Sequence, residues 1–340
     1  MSLRLSILPF EIESNKYIEL MKTSYEICNV SVVEDIQESD IISLNWFENI
    51  DSKYFIKKLF IYLKKTGLLF LWRKKKIVWT MHNKQPHNSK KNFFSDHLIR
   101  NIIKKSDKII IHSKDSIDQL TGIYNLTELE KVVYVPHPNY IDQYGELTLK
   151  KNLDNKKLKL LFVGAIKEYK NIELLVGVFN ELNFKHMELS ICGRPSSDNY
   201  KKKLEKLISN NQKIKTEFKF IDDEELPLLL EECHILVTPY ELKSSLNSGT
   251  IILSFSYART VLSPTIGTLK DIKDRSIFFT YEYDSEQEHY ECLKEKITFI
   301  YEEYSGRYDD LLMLGEKCRE YVQESNSLDN TAKELMRIIY

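Results

Sequence analysis

The sequence predicts an α/β protein built from two successive, doubly wound parallel sheets. Three observations carry this reading. Short apolar runs alternate with stretches whose apolar residues recur every three or four positions, the pattern of βαβ units. The alternation breaks once, at 136–157, where Pro136, Pro138, Gly145, Asn139, Asn152 and Asn155 cluster, and then restarts. A chain of 340 residues is also long for a single core.

In the first half, strands are expected at Leu3–Leu8, Val30–Val33, Ile41–Trp46, Ile77–Thr80, Lys108–His112 and Val132–Pro136. Helices are expected at Asn15–Glu26, Lys53–Trp72, Phe94–Lys105 and Lys114–Ile123. The Leu3–Leu8 run lacks a charged leader and a cleavage pattern, so it reads as a strand and not a signal peptide. After the break come strand Leu158–Val163, helix Asn171–Leu182, strand Met187–Cys192, helix Asn199–Asn210 and strand Thr216–Phe220. Helix Asp223–Glu232, strand Ile235–Thr238, helix Ser248–Tyr257 and strands Thr260–Ser263 and Ile277–Phe279 follow. Two charged helical patterns, Ser285–Glu303 and Tyr308–Gln323, precede a terminal helix in Ser327–Tyr340 with Asn330-Thr331 as its cap. The domains are therefore expected at 1–150 and 151–323, with 324–340 as a terminal helix. No repeat recurs at a fixed 20–50-residue period.

Hydrophobic content of 42% and charged content of 29% describe a soluble globular chain. The net charge of −1 conceals a segregation: residues 53–114 hold 17 Lys or Arg against two acids, Asp96 and Asp107. Such a segment attracts membrane phosphate, lipid diphosphate or nucleic acid. It lacks the aromatic interleaving of a known nucleic-acid module, which argues against the last. Within it, Phe55–Trp72 is the most apolar stretch, but Lys57-Lys58 and Lys64-Lys65 interrupt it and Arg73–Lys76 close it. It is too charged to span a bilayer. Two readings stay open: a helix lying in an anionic membrane interface, or a surface helix with solvated lysines. Of Phe55, Leu59, Tyr62 and Leu63, some must pack on the sheet. Five cysteines, Cys28, Cys192, Cys233, Cys292 and Cys318, form no CxxC pair, which favours a reducing compartment, with Cys192 and Cys233 buried as small apolar residues.

Four ordered segments of the second half could carry chemistry. They are Val163-Gly164-Ala165-Ile166-Lys167-Glu168-Tyr169-Lys170-Asn171, Ile191-Cys192-Gly193-Arg194-Pro195, Leu236-Val237-Thr238-Pro239-Tyr240 and Asn247-Ser248-Gly249-Thr250. The first three follow or end apolar runs, and glycine stands where a strand turns toward a helix. Such turns expose backbone N–H groups and helix N-termini to phosphate. Several at one edge of a parallel sheet suggest a nucleotide pocket. In order and spacing the set resembles the donor domain of GT-B glycosyltransferases, most of all the glycosyltransferase family 4 type and its bacterial polysaccharide relatives.

That resemblance implies two Rossmann-like domains facing across a cleft, with the terminal helix crossing back to the first domain. It implies a nucleotide-sugar donor, UDP- or GDP-linked, held by the second domain through Gly164, Lys170, Arg194, Tyr240, Ser248, Gly249 and Thr250. Lys170 is expected to start a helix and meet the diphosphate. The resembled family places an arginine directly after the glycine; here that residue is Ala165, so Arg194 or Lys167 is expected to compensate. The two glutamates separated by seven residues that the family often carries, one of which usually holds the donor ribose, are missing: Glu241 comes too early, and the later position falls on Leu253 or Ser254. In the first domain, Trp79-Thr80-Met81-His82-Asn83-Lys84-Gln85-Pro86-His87 is similar to a Thr-x-His-Asn-x-x-Pro-His segment of polysaccharide glycosyltransferases. His82 is the candidate catalytic residue, as a donor to a sugar hydroxyl or as a base. Asn45, Trp46, Asn83 and His87 are the candidate acceptor-binding residues. Pro136-His137-Pro138-Asn139-Tyr140 is also similar to a segment of those relatives and reads as a stiff hinge.

These observations predict a glycosyltransferase acting on a glycan or lipid-linked acceptor, cytoplasmic and peripheral on the inner face of the membrane. The resemblance implies retention of configuration and, with no Asp-x-Asp triplet, no metal and no cofactor. An inverting enzyme with His82 as base, a sugar-nucleotide epimerase of the same shape and a noncatalytic nucleotide or nucleic-acid binder remain alternatives.

Overall fold

The computed structural model describes residues 3–12, 15–50, 52–84, 93–147, 153 and 156–340. The chain divides into two compact units: Met1–Pro138 with Lys243–Asn247 and Ser325–Tyr340, and Asn139–Leu242 with Ser248–Glu324. The first boundary falls at Pro138, ahead of the expected 150. Hydrogen bonds explain the shift: the Tyr140 N–H donates to Ser256 Oγ (2.8 Å), the Tyr144 N–H to Tyr257 Oη (2.9 Å) and Asn139 Nδ2 to Val322 O (3.0 Å). These bonds commit the segment after Pro138 to the second unit.

The first unit contains β1 (Arg4–Leu8), α1 (Tyr17–Ile27), β2 (Ser31–Val32), β3 (Ile41–Asn45), α2 (Phe55–Leu71), β4 (Lys76–Met81), α3 (Phe93–Lys105), β5 (Lys108–Ile111), α4 (Asp115–Gly122) and β6 (Val132–Tyr134). Its parallel sheet has the order β2-β1-β3-β4-β5-β6. The central strands are buried on both faces, as Ile41, Ile42, Leu44, Val78, Trp79 and Met81 attest. One apolar core holds Trp79, Leu98 and Ile102, and also Leu246 from the returning Lys243–Asn247 segment. The other core holds Tyr17, Ile18, Met21 and Tyr25 of α1 against Leu335, Ile338 and Ile339 near the C-terminus.

The second unit contains β7 (Leu158–Val163), α5 (Ile172–Leu182), β8 (Met187–Cys192), α6 (Asp198–Ile208), β9 (Ile214–Glu217), α7 (Glu225–Glu231), β10 (Ile235–Val237), α8 (Gly249–Ser256), β11 (Thr260–Pro264), α9 (Gly267–Lys270), β12 (Phe279–Tyr281), α10 (Glu286–Glu303) and α11 (Asp309–Ser325, whose last residue counts with the first unit). The terminal α12 (Leu328–Ile339) belongs to the first unit and packs on α1. The second sheet, also parallel, runs β12-β11-β10-β7-β8-β9. Its order reverses between β7 and β10, a switch point beyond whose carboxyl ends open α/β sheets ordinarily bind their ligands.

Several expected details shift. β9 begins two residues before the expected Thr216 and ends at Glu217, with Ile214 its one buried residue. A single 3₁₀ turn at Arg275–Ile277 displaces β12 along the chain. Ser327, not Asn330-Thr331, caps α12: its Oγ accepts from the Asn330 N–H (3.3 Å), while Thr331 Oγ1 donates to Pro136 O. Helix α10 carries a full capping box of Ser285 and Glu288.

Candidate active site

In the second unit, two glycine turns lock together at the ends of β7 and β8. Gly164 has φ +119° and Gly193 has φ +148°, conformations that favour a residue without Cβ. The Gly164 N–H donates to Cys192 O (3.0 Å), and the Gly193 N–H to Glu217 O (2.9 Å). Bonds from the Ile166 N–H to Arg194 O and from the Ser196 N–H to Ile166 O continue the zipper.

Lys170 does not start a helix as expected. It ends a 3₁₀ turn, Glu168–Lys170, and left-handed Asn171 (φ 51°) separates it from α5. This turn folds the lysine back over β7. It is 8% exposed, with Nζ 5.7 Å from the Phe162 ring centroid and 5.4 Å from that of Tyr240. Nζ lies 3.5 Å from where a Cβ on Gly164 would stand, and Thr250 Oγ1 lies 4.0 Å from the same point. Among the described residues no acid pairs with this buried cation. Tyr240 is held in turn by Tyr283, whose hydroxyl donates to Tyr240 O (3.2 Å) and accepts from the Leu242 N–H (2.9 Å).

Ser248 caps α8, its Oγ accepting from the Ile251 N–H (3.2 Å), and its own N–H donates to Thr268 Oγ1 (3.0 Å). Among the described residues no acceptor meets the N–H groups of Gly249 and Thr250, as at any open helix start. At the end of β10, Thr238 Oγ1 is buried without a partner. Lys170, Thr250 and the glycine turn thus converge, and Tyr240 packs over the lysine. Arg194 is exposed beside Gly193. Of the positions weighed for a ribose glutamate, Ser254 is fully buried with Oγ bonded to Arg259 O, and Leu253 is buried, so neither offers a carboxylate.

In the first unit, the carboxyl ends of β1, β3, β4 and β5 gather an aromatic cluster. Asn45 Nδ2 donates to Leu8 O (3.5 Å), which turns Oδ1 toward His82 Nε2 (3.1 Å). The bond to Asn45 thereby orients the His82 ring at the end of β4. The His82 ring stacks on Trp46 (centroids 4.1 Å apart, planes at 16°), and Trp46 sits at φ 51° to reach it. Asn247 Nδ2 donates to the carbonyls of Met81 and His82. Asn83 follows at the same edge, partly buried. His87 lies outside the described residues.

Two members of this cluster were not foreseen. Tyr17, 1% exposed, stands edge-on to both His82 and Trp46, and its hydroxyl donates to His112 Nε2 (2.8 Å). His112 Nδ1 donates to Val135 O (2.8 Å), which fixes its tautomer. His137 joins the group 5.2 Å from His112 and donates from Nδ1 to Pro138 O (2.8 Å). Burial lowers His112 to about 3, helped by neighbouring His137, and burial lowers His137 to about 4. Both bind fewer protons folded than unfolded, where imidazole titrates near its ordinary ~6.5. Their contribution to stability is therefore complete above that value and is lost as pH falls toward 4 and below. We expect the first unit's melting temperature to drop between pH 6 and pH 4, and His112→Gln to flatten that slope in melts followed across the range.

Glu48, near Trp46 in sequence, takes no part in the cluster. It is buried, accepts from Trp79 Nε1 (3.1 Å), and burial raises its carboxyl above the usual range. Among the described residues no group of three His, Cys, Asp or Glu could hold a metal ion.

Across its whole length the chain superposes on Anabaena Alr3699/HepE in complex with UDP and glucose, with a TM-score of 0.73, 10% identity and coverage of 100% of this chain and 99% of that one. The fold is GT-B. A glycosyltransferase from Rickettsia africae superposes with a TM-score of 0.68 at 16% identity, covering 99% and 97% of the two chains. Residues 145–244 match the family described as Glycosyl transferases group 1. They span the segments built around Gly164, Lys170, Gly193 and Tyr240. A GDP-mannose:glycolipid 4-beta-D-mannosyltransferase of Xanthomonas campestris pv. campestris is 26% identical over 194 residues, which is 55% of this chain and 50% of that protein. The match thus spans about half the length of that relative.

Proposed function

We propose that this chain is a hexosyltransferase, moving a sugar from a nucleotide-sugar donor to a glycan or lipid-linked acceptor in polysaccharide or glycoconjugate synthesis. One observation carries the reading: the buried ammonium of Lys170 at the sheet's reversal point, with no acid beside it among the described residues. A cation out of water without a counter-charge is costly. The diphosphate of a nucleotide sugar supplies that charge, and the open N–H groups of Gly249 and Thr250 supply donors for its oxygens. As the glycosidic bond to the donor breaks, negative charge grows on the departing diphosphate, and a fixed cation in a dry site favours that change. Lys170 and backbone amides do this without a metal or cofactor. Arg194 adds a weaker, solvent-screened attraction. The relatives' names make GDP-mannose and UDP-glucose the first donors to test.

The first unit binds the acceptor through Asn45, Trp46, Asn83 and His87, and His82 meets the reacting hydroxyl. The protein works from the cytoplasmic side, peripheral on an anionic membrane. Retention of configuration is the primary reading. Inversion with His82 as base is favoured by one observation, the bond to Asn45 that orients the His82 ring, and a relative named as a 4-beta-mannosyltransferase agrees with it. A panel of UDP- and GDP-hexoses tests the function. Release of the nucleoside diphosphate from one of them supports transfer. Reversible isomerisation supports an epimerase, and binding without turnover supports a nucleotide-binding protein. His82→Ala is expected to lower kcat roughly 10²–10⁴-fold if it is the base; a smaller loss with an unchanged pH profile leaves it as a sugar contact.

A further inference from the structure

We propose that α2 seats its outward face in the interface of an anionic bilayer. This deepens the reading of a membrane-held acceptor and rests on it. The helix carries apolar residues on two sides. Ile61, Tyr62, Leu68 and Leu69 pack against the sheet core. Ile56, Phe60, Leu63, Phe70 and Leu71 instead stand 57% to 80% exposed. Their spacing of four, three, seven and one places them along one stripe, away from the protein. Solvent-facing positions of a surface helix are ordinarily polar, and a contiguous apolar stripe marks a contact site.

The surrounding charge identifies the partner. Residues 53–76 contain nine Lys or Arg and no acid. Three of the nine are spent inside the unit: Lys65 on the carbonyls of Phe47 and Asn49, Lys75 on Gln37 and Ser39, and Lys76 on Ile338 and Ile339. Lys53, Lys57, Lys64, Arg73 and Lys74 are exposed beside the stripe. A second copy of this face would bring like charges together. A nucleic acid would answer the lysines but offer little to Phe60 and Leu63. A bilayer with acidic headgroups answers both, with acyl chains for the stripe and phosphates for its flanks. The helix has 17 residues, and no helix among the described residues is long and apolar enough to cross a membrane. It therefore lies along the surface.

This arrangement separates two contributions. The cations govern capture and are screened by salt, whereas the stripe holds the protein after capture and is not. Gly67 lies on the same stripe, and a Cβ there would meet nothing within 4 Å, so a larger apolar side chain fits without strain.

The test is co-flotation with vesicles of phosphatidylcholine alone, or with about a third phosphatidylglycerol, at low and high salt. Wild type is expected to float with the anionic vesicles and to keep part of that binding in high salt. Leu63→Glu with Phe70→Glu should reduce partitioning at least about tenfold at both salt levels. Lys57→Glu with Lys64→Glu should weaken it chiefly at low salt, and Gly67→Leu should strengthen it. Thermal melts of each variant exclude misfolding. Equal recovery of wild type with both vesicles, or unchanged binding by the double glutamate variant, overturns the proposal. So does a concentration-dependent dimer that the same variant dissolves. Donor turnover in solution is measured in parallel. Turnover without flotation sinks only the membrane inference, and flotation without turnover sinks only the proposed activity.

Discussion

Replacing Lys170 by methionine is expected to weaken nucleoside diphosphate binding roughly ten- to hundredfold, the loss of a charge-assisted contact of about 1.5–3 kcal/mol. Turnover should fall further, by about 10²–10³-fold, because charge on the leaving diphosphate is greatest in the transition state. The unliganded protein should change in the opposite direction. Lys170 is buried against Phe162 and Tyr240, with no acid among the described residues to balance it. Methionine keeps the length and the ring contacts while removing the buried charge, so the apo protein should melt higher, by roughly 2–4 °C per kcal/mol recovered. Calorimetric titration with UDP and GDP and a melt of the apo protein read both arms. Wild-type diphosphate affinity in this variant would remove Lys170 from the site, and a lower apo melting temperature would make it a structural residue.

Gly193→Ala should be the most damaging single methyl group in the second unit's site. A Cβ there would stand 1.9 Å from Gly164 O and 2.8 Å from Gly164 C. Neither atom belongs to a flexible side chain, and Gly164 is itself pinned through its N–H to Cys192 O. The φ of +148° adds strain for any residue with a side chain. The two turns must separate, at a cost above about 4 kcal/mol. Against a typical domain stability of about 5–15 kcal/mol, the second unit should be marginal. Gly122→Ala is the control: a Cβ there meets nothing within 4 Å, and it should stabilise α4 by about 0.5–1 kcal/mol. Equal melting temperatures for Gly193→Ala and wild type would refute the close approach.

The parallel sheets were legible because buried strands in such folds are continuous apolar runs. Leu158–Val163 and Met187–Cys192 appear where those runs predicted them. β9 was misread because an edge strand with one buried residue carries little pattern. The glycine turns were legible as motifs, yet their mutual contact was not, since it joins residues 29 positions apart. Tyr17 and His112 went unnoticed for a similar reason. Tyr17 fits the apolar face of α1 like any core aromatic, and only folding brings its hydroxyl to the end of β5. The two sides of α2 could not be assigned from the sequence either. Of the four residues first considered there, Leu59 and Tyr62 are partly covered while Phe55 and Leu63 stand outside.

The returning segments bear on how such a protein can exchange parts in evolution. The second unit is no single cassette of sequence: the chain leaves it after Leu242, gives Lys243–Asn247 to the first unit, re-enters at Ser248 and leaves again after Glu324. A recombination event with one crossover near Pro138 would import a foreign α12 to lie on α1 and a foreign Leu246 into the first unit's core. Such a chimera inherits a mismatched N-terminal core even though its N-terminal gene segment is untouched. A second unit wired this way therefore exchanges cleanly only when the tail and the five-residue loop come from the same parent as the first unit.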